Sequence, residues 1–277
     1  MTEFLTRAEL FADGYTRRTI RRAVRLGALL HVRRDRYLPT GVDDRIVRAV
    51  RVGGRLTCLS LLAALGVFVL DNALLHVHVD PRAARLRGPQ QPPRRRASSD
   101  PVRLHWSSHE SPAGATVVPV IDALRHAFRC QSPRAMVATI DSALNRGLIS
   151  LSELDELFAL LPDRFSAVRS LVDGRAESGP ETLVRLIARA LGCQVELQVR
   201  FEGIGRVDLL VDGWLVVECD SREFHSDWAT QRKDHARDLA LAARGFPTFR
   251  VVAEDILYRP EQVLGALQGL IRSRQHV

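Results

Sequence analysis

Three acidic residues interrupt two apolar stretches near the C-terminal end of the chain. Asp208 lies within residues 206–211, and Glu218 and Asp220 lie within residues 214–220. An ionised carboxylate in an apolar strand is costly unless it is paired or bound to a metal ion. Because side chains alternate along a strand, Glu218 and Asp220 point to the same face. Oxygen ligands of this kind suit Mg²⁺, so the pattern predicts a magnesium site.

The connection between the two stretches decides whether Asp208 joins the other carboxylates. A two-residue loop would pair Asp208 with Val217 and put Glu218 one step out of phase. A three-residue loop, or a bulge at Gly213, would pair Asp208 directly with Glu218. We expect the second arrangement, because it gathers three carboxylates at one point. Glu181, at the start of the preceding helix, could reach the same cluster.

The residues around these acids predict a separate C-terminal domain over residues 173–277. A stretch rich in Gly, Ser and Pro at 173–180 marks its start. We expect a helix, three strands, a helix, a strand and a closing helix at 181–191, 195–201, 206–211, 214–220, 227–244, 246–252 and 255–271. This α-β-β-β-α-β order resembles the core of the restriction-endonuclease-like fold.

Asp208 followed by Glu218-x-Asp220 resembles the PD-(D/E)xK nuclease motif. A wider set of residues resembles one branch of that superfamily, the domain related to the very short patch repair endonucleases. The set comprises Glu218, Cys219, Asp220, Ser221, His225, Asp234, Arg237, Leu241, Gly245, Phe246 and Arg250.

This resemblance implies a metal-dependent DNA endonuclease. It implies that Asp208, Glu218 and the backbone carbonyl of Cys219 hold Mg²⁺ or Mn²⁺, which activates water toward a DNA phosphodiester. Glu181 would be the acid on the helix, and His225 would be a general base or a phosphate contact. The alternative for His225 is a capping or core-edge position.

The motif is incomplete at its last position, where Asp220 replaces the usual lysine. That lysine normally orients the attacking water or stabilises negative charge. Lys233, the one lysine of the chain, lies early in the polar helix and could supply this role. The alternatives are that His225 supplies it, that nothing does, and that Lys233 faces solvent.

The basic residues are concentrated at the other end of the chain. The net charge is +8, but residues 1–100 carry 19 Arg against 9 acidic residues, whereas residues 101–277 carry 21 Lys and Arg against 23. A basic segment of this kind predicts a module that binds a polyanion. Genome base composition is an alternative explanation, because 39 of the 40 basic side chains are Arg.

Residues 1–55 are predicted to form a winged helix-turn-helix domain. Thr6 and Glu9 have capping-box spacing, and a second helix over 16–26 ends at Gly27. The arginines of this helix fall within an arc of about 140°. Together with those of a basic wing they are the predicted DNA contacts: Arg17, Arg18, Arg21, Arg22, Arg25, Arg33, Arg34 and Arg36.

Residues 6–39 resemble the N-terminal winged helix of the AbiEi-type antitoxins. The pattern is a short helix, a Gly turn, a basic helix, Gly-x-Leu and a hairpin that ends in an aromatic residue. The resemblance implies operator DNA as the partner. The alternative is a solvated arginine face on a small helical hairpin.

Residues 56–172 are assigned to a mostly helical middle region that resembles the part following the wing in AbiEi-like proteins. We expect strands at 75–79 and 102–106, and a basic, Pro-rich loop at 81–100. Four histidines in this region have no carboxylate or Cys beside them, so we expect no metal at His76, His78, His105 and His109. The cysteines show no CxxC pair or zinc-ligand spacing, which is typical of a reduced protein: Cys58, Cys130, Cys193 and Cys219.

The sequence therefore predicts an α+β or α/β multidomain protein with DNA as its partner. Its 46% hydrophobic residues are typical of a globular protein. The most apolar run, 56–70, is shorter than the roughly 20 residues of a membrane-spanning helix, so we expect a cytoplasmic protein with no membrane partner. A DNA endonuclease is the predicted function. An antitoxin-like transcriptional regulator with a weak or inactive nuclease fold is the alternative, and RNA processing is a third.

Overall fold

The computed structural model of the chain describes residues 3–90, 94–108, 112–220 and 228–275. The chain is a mixed α/β protein that divides into two compact units, Met1–Gln131 and Ser132–Val277, called unit 1 and unit 2 below. No helix in the described ranges combines the length and the apolar character that a membrane crossing requires.

Unit 1 begins with two short helices and a hairpin: α1 (Arg7–Ala12), α2 (Arg17–Arg25), β1 (Leu29–Arg33) and β2 (Arg36–Pro39). Thr6 caps α1 through a capping box with Glu9, as the spacing predicts. Gly27 follows α2 with a φ of +73°, a left-handed conformation that glycine adopts without strain. The helices and the hairpin share a small core formed by Leu10, Ile20, Leu29 and Tyr37.

The rest of unit 1 packs helices on a three-stranded sheet. Its elements are α3 (Asp44–Val52), β3 (Arg55–Leu56), α4 (Cys58–Ala64), β4 (Leu75–Val79), β5 (Val102–Trp106) and α5 (Val120–Ala127). Strand β4 lies in the middle, antiparallel to β3 and parallel to β5. In the apolar run that starts at residue 56, the helix α4 begins only at Cys58, because Leu56 is a strand residue that pairs with Val77 and donates its N–H to the carbonyl of Thr116.

Unit 2 begins with helices α6 (Pro133–Asn145), α7 (Leu151–Ala159) and α8 (Ser166–Leu171), a 3₁₀ turn (Asp163–Phe165) and helix α9 (Gly179–Ala190). A buried ion pair joins α6 to α9, because Arg185 Nη2 lies 2.7 Å from Asp141 Oδ2. Asp141 also accepts a hydrogen bond from the hydroxyl of Thr182 at 2.8 Å. The sequence places a domain boundary between residues 172 and 173, but the helices before this point pack with the part that follows it.

The second half of unit 2 is a sheet with three further helices. Its elements are β6 (Val195–Phe201), β7 (Gly205–Val211), β8 (Leu215–Asp220), α10 (Trp228–Ala243), β9 (Thr248–Val252), α11 (Ala253–Tyr258) and α12 (Pro260–Gln275). The strand order is β6-β7-β8-β9, antiparallel except for the parallel pair β8–β9. The predicted order of helix, three strands, helix and strand is therefore found. The predicted single closing helix is instead α11 and α12, because Pro260 lacks an N–H and disfavours helical backbone at Arg259.

Removing the guanidinium of Arg185 is expected to destabilise unit 2. Arg185→Leu leaves the carboxylate of Asp141 buried without its partner, so we expect the free energy of unfolding to fall by roughly 3–5 kcal/mol. Urea denaturation followed by circular dichroism measures this change. Arg175→Leu is the control, since the side chain of Arg175 is 65% exposed, and it should cost less than about 1 kcal/mol. Equal small decreases for the two variants would contradict the prediction.

Candidate active site

Strands β7 and β8 bring two acids face to face. Val211 pairs with Leu215, so a three-residue loop joins the strands. Gly213 in this loop has a φ of +69°. The same register, continued toward the open ends of the strands, places Asp208 opposite Glu218. The expected three-residue connection is therefore confirmed, and the two-residue alternative is excluded.

Asp208 is a half-buried carboxylate that the neighbouring strand holds in place. Its Oδ2 accepts a hydrogen bond from the backbone N–H of Cys219 at 2.9 Å. Its carboxyl group also shares a hydrogen bond with Glu218. Burial raises the pKa of Asp208, and it outweighs the opposing effect of these hydrogen bonds.

Glu218 is the most deeply buried acid of β8, with 5% of its surface exposed. Arg237 on α10 donates a hydrogen bond from Nη2 to Glu218 Oε1 at 2.8 Å. Burial and then the negative charge of Asp208 raise the pKa of Glu218 to about 7, although Arg237 acts in the opposite direction. The two carboxyl groups are therefore coupled, because ionisation of Asp208 disfavours that of Glu218.

A third buried acid reaches the same region from α9. Glu181 lies in the first turn of that helix, where Oε2 accepts a hydrogen bond from Gln198 Nε2 at 2.7 Å and one from the N–H of Glu177 at 2.9 Å. Burial, and then the charge of Asp208, raise the pKa of Glu181. This effect of the Asp208 charge on Glu181 is consistent with the predicted proximity of Glu181 to the acids of the sheet.

Gln198 was not predicted from the sequence as a site residue. It interrupts the pairing of β6 with β7 opposite Asp208 and has a φ of +57°. A residue other than glycine is strained in this conformation, and such strain is concentrated at functional sites. The strain is compensated in part by the hydrogen bond that Gln198 donates to Glu181. A polar residue in a half-buried strand was the only available sequence signal.

Asp220 lies at the exposed end of β8, apart from the buried pair. Arg250 on β9 donates from Nη1 to Asp220 Oδ1 at 3.2 Å and binds both carboxylate oxygens of Asp238 on α10. Asp220 is thus engaged by a different cation from Glu218. Among the residues that the structure describes, the acids of unit 2 do not bring three ligand atoms together.

The remaining predicted site residues have different surroundings. Lys233 is an exposed residue of α10, one helical turn before Arg237. Cys219 lies between the two acids of β8 and contributes the backbone N–H that binds Asp208. His225, like His109 of unit 1, lies outside the described residues.

In unit 1, the five predicted DNA-binding arginines of α2 are all exposed: Arg17, Arg18, Arg21, Arg22 and Arg25. Ile20, on the opposite side of this helix, is buried in the core. A surface pocket of about 510 Å³ lies beside the basic face, and it is lined by Arg7, Arg17, Ile20, Arg21, Val24, His31 and Tyr37. The exposed guanidinium groups give this surface a positive potential, which attracts anions.

The three arginines of the predicted wing differ in their availability. Arg34 is exposed. The guanidinium of Arg33 instead donates to the backbone carbonyls of Arg51, Val52 and Arg85, at 2.8 to 3.1 Å. That of Arg36 lies 4.7 Å from the centre of the Phe4 ring. Arg33 and Arg36 therefore stabilise the fold of unit 1, which the sequence pattern did not indicate.

No protein-family model matches the chain, and no similar protein was found among the curated proteins.

The raised pKa of Glu218 predicts how Glu218→Gln changes stability. In metal-free buffer above pH 7 the wild-type protein buries a charge that the variant lacks, so we expect Glu218→Gln to raise the free energy of unfolding by roughly 1–3 kcal/mol at pH 8. Near pH 5 the wild-type carboxyl group is protonated in the folded state, so the gain should disappear. Urea denaturation at the two pH values measures the difference. A variant that is less stable than wild type at pH 8 would show that the ion pair with Arg237 outweighs the cost of burial.

Proposed function

We propose that the chain is a metal-dependent endonuclease that acts on DNA. In this proposal unit 2 contains a restriction-endonuclease-like core, and unit 1 begins with a winged helix-turn-helix. The observation that carries the proposal is the pairing of Asp208 with Glu218. Two acids with raised pKa values meet at one point of a sheet, and such perturbed groups are typical of functional sites.

The donors at this point suit a hard divalent cation. Asp208 and Glu218 offer carboxylate oxygens, and the N–H of Cys219 already faces Asp208. Since the N–H and carbonyl of a strand residue point to the same edge, the Cys219 carbonyl is a reasonable third ligand. Mg²⁺ or Mn²⁺ held there would polarise a phosphodiester and lower the pKa of a bound water. Glu181, which lies on α9, would orient this bound water.

Among the residues that the structure describes, Arg237 is the one best placed to perform the charge-stabilising role of the missing motif lysine. Its guanidinium contacts Glu218 directly, whereas Lys233 lies one turn earlier in α10 and is exposed. An arginine at this place can bind phosphate oxygens in a bidentate geometry. We therefore assign Arg237 a contact with the scissile phosphate, and Lys233 a contact farther along the backbone.

The basic face of α2 supports DNA as the substrate. Exposed guanidinium groups on a helix that packs by its other face can reach phosphates and guanine edges in a major groove. The neighbouring pocket adds Arg7 and His31 to this surface. Of the wing residues, Arg34 alone is proposed as a DNA contact, because Arg33 and Arg36 are engaged within the fold.

A second candidate function is a DNA-binding regulator whose nuclease-like unit is inactive. The ion pair between Glu218 and Arg237 favours it, because it occupies a carboxylate oxygen that a cation would need. The ion pair between Asp220 and Arg250 also favours the inactive regulator.

Cleavage of supercoiled plasmid in the presence of Mg²⁺ or Mn²⁺ tests the proposed activity. We expect the wild-type protein to cleave, and Asp208→Asn and Glu218→Gln to reduce activity by at least about 100-fold, because each removes a charge at the reacting centre. Glu196→Gln is the matched control, since Glu196 is an exposed carboxylate on β6. Equal cleavage by all four proteins, or none by wild type with DNA binding retained, would support the regulator instead.

The salt dependence of DNA binding tests the role of α2 separately. Replacing Arg17, Arg21 and Arg25 by Gln should weaken DNA binding and reduce the slope of log K against log salt by about one for each phosphate that the variant no longer neutralises. Fluorescence anisotropy with a labelled duplex measures both quantities. The charge-matched control replaces Arg129, Arg146 and Arg200, which are exposed on other parts of the chain. An unchanged slope in the α2 variant, or an equal change in the control, would exclude α2 as the DNA-binding helix.

A further inference from the structure

Unit 1 contains a cluster of soft ligands that the proposed nuclease activity does not use. Four side chains converge in its interior: Cys58, His76, His105 and Cys130. Their ligand atoms all lie within 4.8 Å of one another. We propose that these residues form a tetrahedral transition-metal site whose natural occupant is Zn²⁺.

Sheet pairing brings the two histidines together. Strands β4 and β5 are parallel, with His78 directly paired to His105. Because side chains alternate, His76 lies on the same face as His78 and therefore on that of His105. His76 Nδ1 lies 3.0 Å from His105 Nε2. Two ligand nitrogens thus point to one place on the sheet.

The two cysteines reach this place from the helices. Cys58 is the first residue of α4, and Cys130 follows the end of α5. Cys130 Sγ lies 3.9 Å from His105 Nε2. Cys58 has a φ of +53°, so this residue adopts a strained left-handed conformation at the position that contributes the thiol.

The observed distances fit a tetrahedral ion. Metal bonds of about 2.0–2.1 Å to nitrogen and 2.3 Å to sulfur require ligand atoms roughly 3.3–3.8 Å apart. The measured separations of 3.0 and 3.9 Å bracket this range, and the upper limit of 4.8 Å exceeds it by about one ångström. Small side-chain rotations therefore suffice to complete the geometry.

The chemistry of the ligand set selects the class of metal. Two thiols and two imidazoles are soft and borderline ligands, which suit Zn²⁺ and disfavour Mg²⁺ or Ca²⁺. Cys58, His76 and His105 are at most 7% exposed. Four protein ligands fill a tetrahedral shell and leave no position for substrate, so the site is structural rather than catalytic.

One further histidine, His126, packs against a residue of the cluster. The ring of His126 stacks on that of His105 with centroids 4.8 Å apart. His126 Nδ1 lies 2.8 Å from the hydroxyl of Thr57, the residue before Cys58, and Nε2 lies 3.3 Å from Ser107 Oγ. These two hydrogen bonds fix the ring of His126, which in turn restricts the orientation of His105.

Metal analysis of the full-length chain, purified without chelator and with no polyhistidine tag, tests the proposal. We expect about one zinc per chain in the wild-type protein, because the site has four protein ligands. Cys130→Ser and His105→Gln should reduce the zinc content at least tenfold. Cys193→Ser, which changes a buried cysteine of unit 2, should keep it. Unchanged zinc in the two ligand variants would overturn the proposal.

Cobalt substitution provides a readout that does not depend on the folding of a variant. Wild-type protein stripped by a chelator, reduced and reloaded with Co²⁺ should show the intense visible bands of a tetrahedral ion and sulfur-to-cobalt charge transfer in the near ultraviolet. Added Zn²⁺ should displace the Co²⁺ and so remove these bands. Failure of the reduced wild-type protein to take up either metal, or a disulfide between Cys58 and Cys130 in the protein as isolated, would overturn the proposal. None of these outcomes depends on DNA cleavage.

Discussion

The contact between Asp208 and Glu218 is the constraint on which the proposed site of unit 2 depends. Two carboxyl groups that face each other away from water repel when both are ionised, and the fold places several donors around them. Arg237 binds Glu218, and the N–H of Cys219 binds Asp208. The raised pKa values of both acids show that this compensation is incomplete. Such perturbed groups are frequent at functional sites, and this supports the role that we propose for the pair.

The sequence was sufficient to locate the sheet and its acids, because apolar runs with isolated charges are a strong local signal. It left two possible registers for β7 and β8, and the length of one loop decided between them. The contact of Arg237 with Glu218 was not predictable, since it depends on how α10 crosses the sheet. The same holds for Gln198, whose backbone conformation has no counterpart in the residue pattern.

Tertiary contacts also explain the differences in unit 1 and at the domain boundary. Arg33 fits a basic wing by its position in the sequence, but its guanidinium binds the carbonyls at the end of α3. Asp141 and Arg185 are 44 residues apart, and their ion pair joins helices that a Gly- and Pro-rich stretch separates. The four residues of the proposed zinc site come from two strands and two helical segments, so no fixed spacing in the sequence could reveal them.

The three-residue loop between β7 and β8 has a consequence for how this chain can change in evolution. Its composition is constrained at Asp212 and Gly213, which both have a positive φ. Its length is constrained as well, because it sets the register of β8 against β7. If the three-residue geometry of the loop is kept, deleting or inserting one residue shifts the register by one and turns the side chains of β8 to the opposite face of the sheet. Cys219 after a deletion, or Val217 after an insertion, would then lie opposite Asp208 in place of Glu218. Related sequences that keep the acid pair should therefore vary in the composition of this loop and conserve its number of residues.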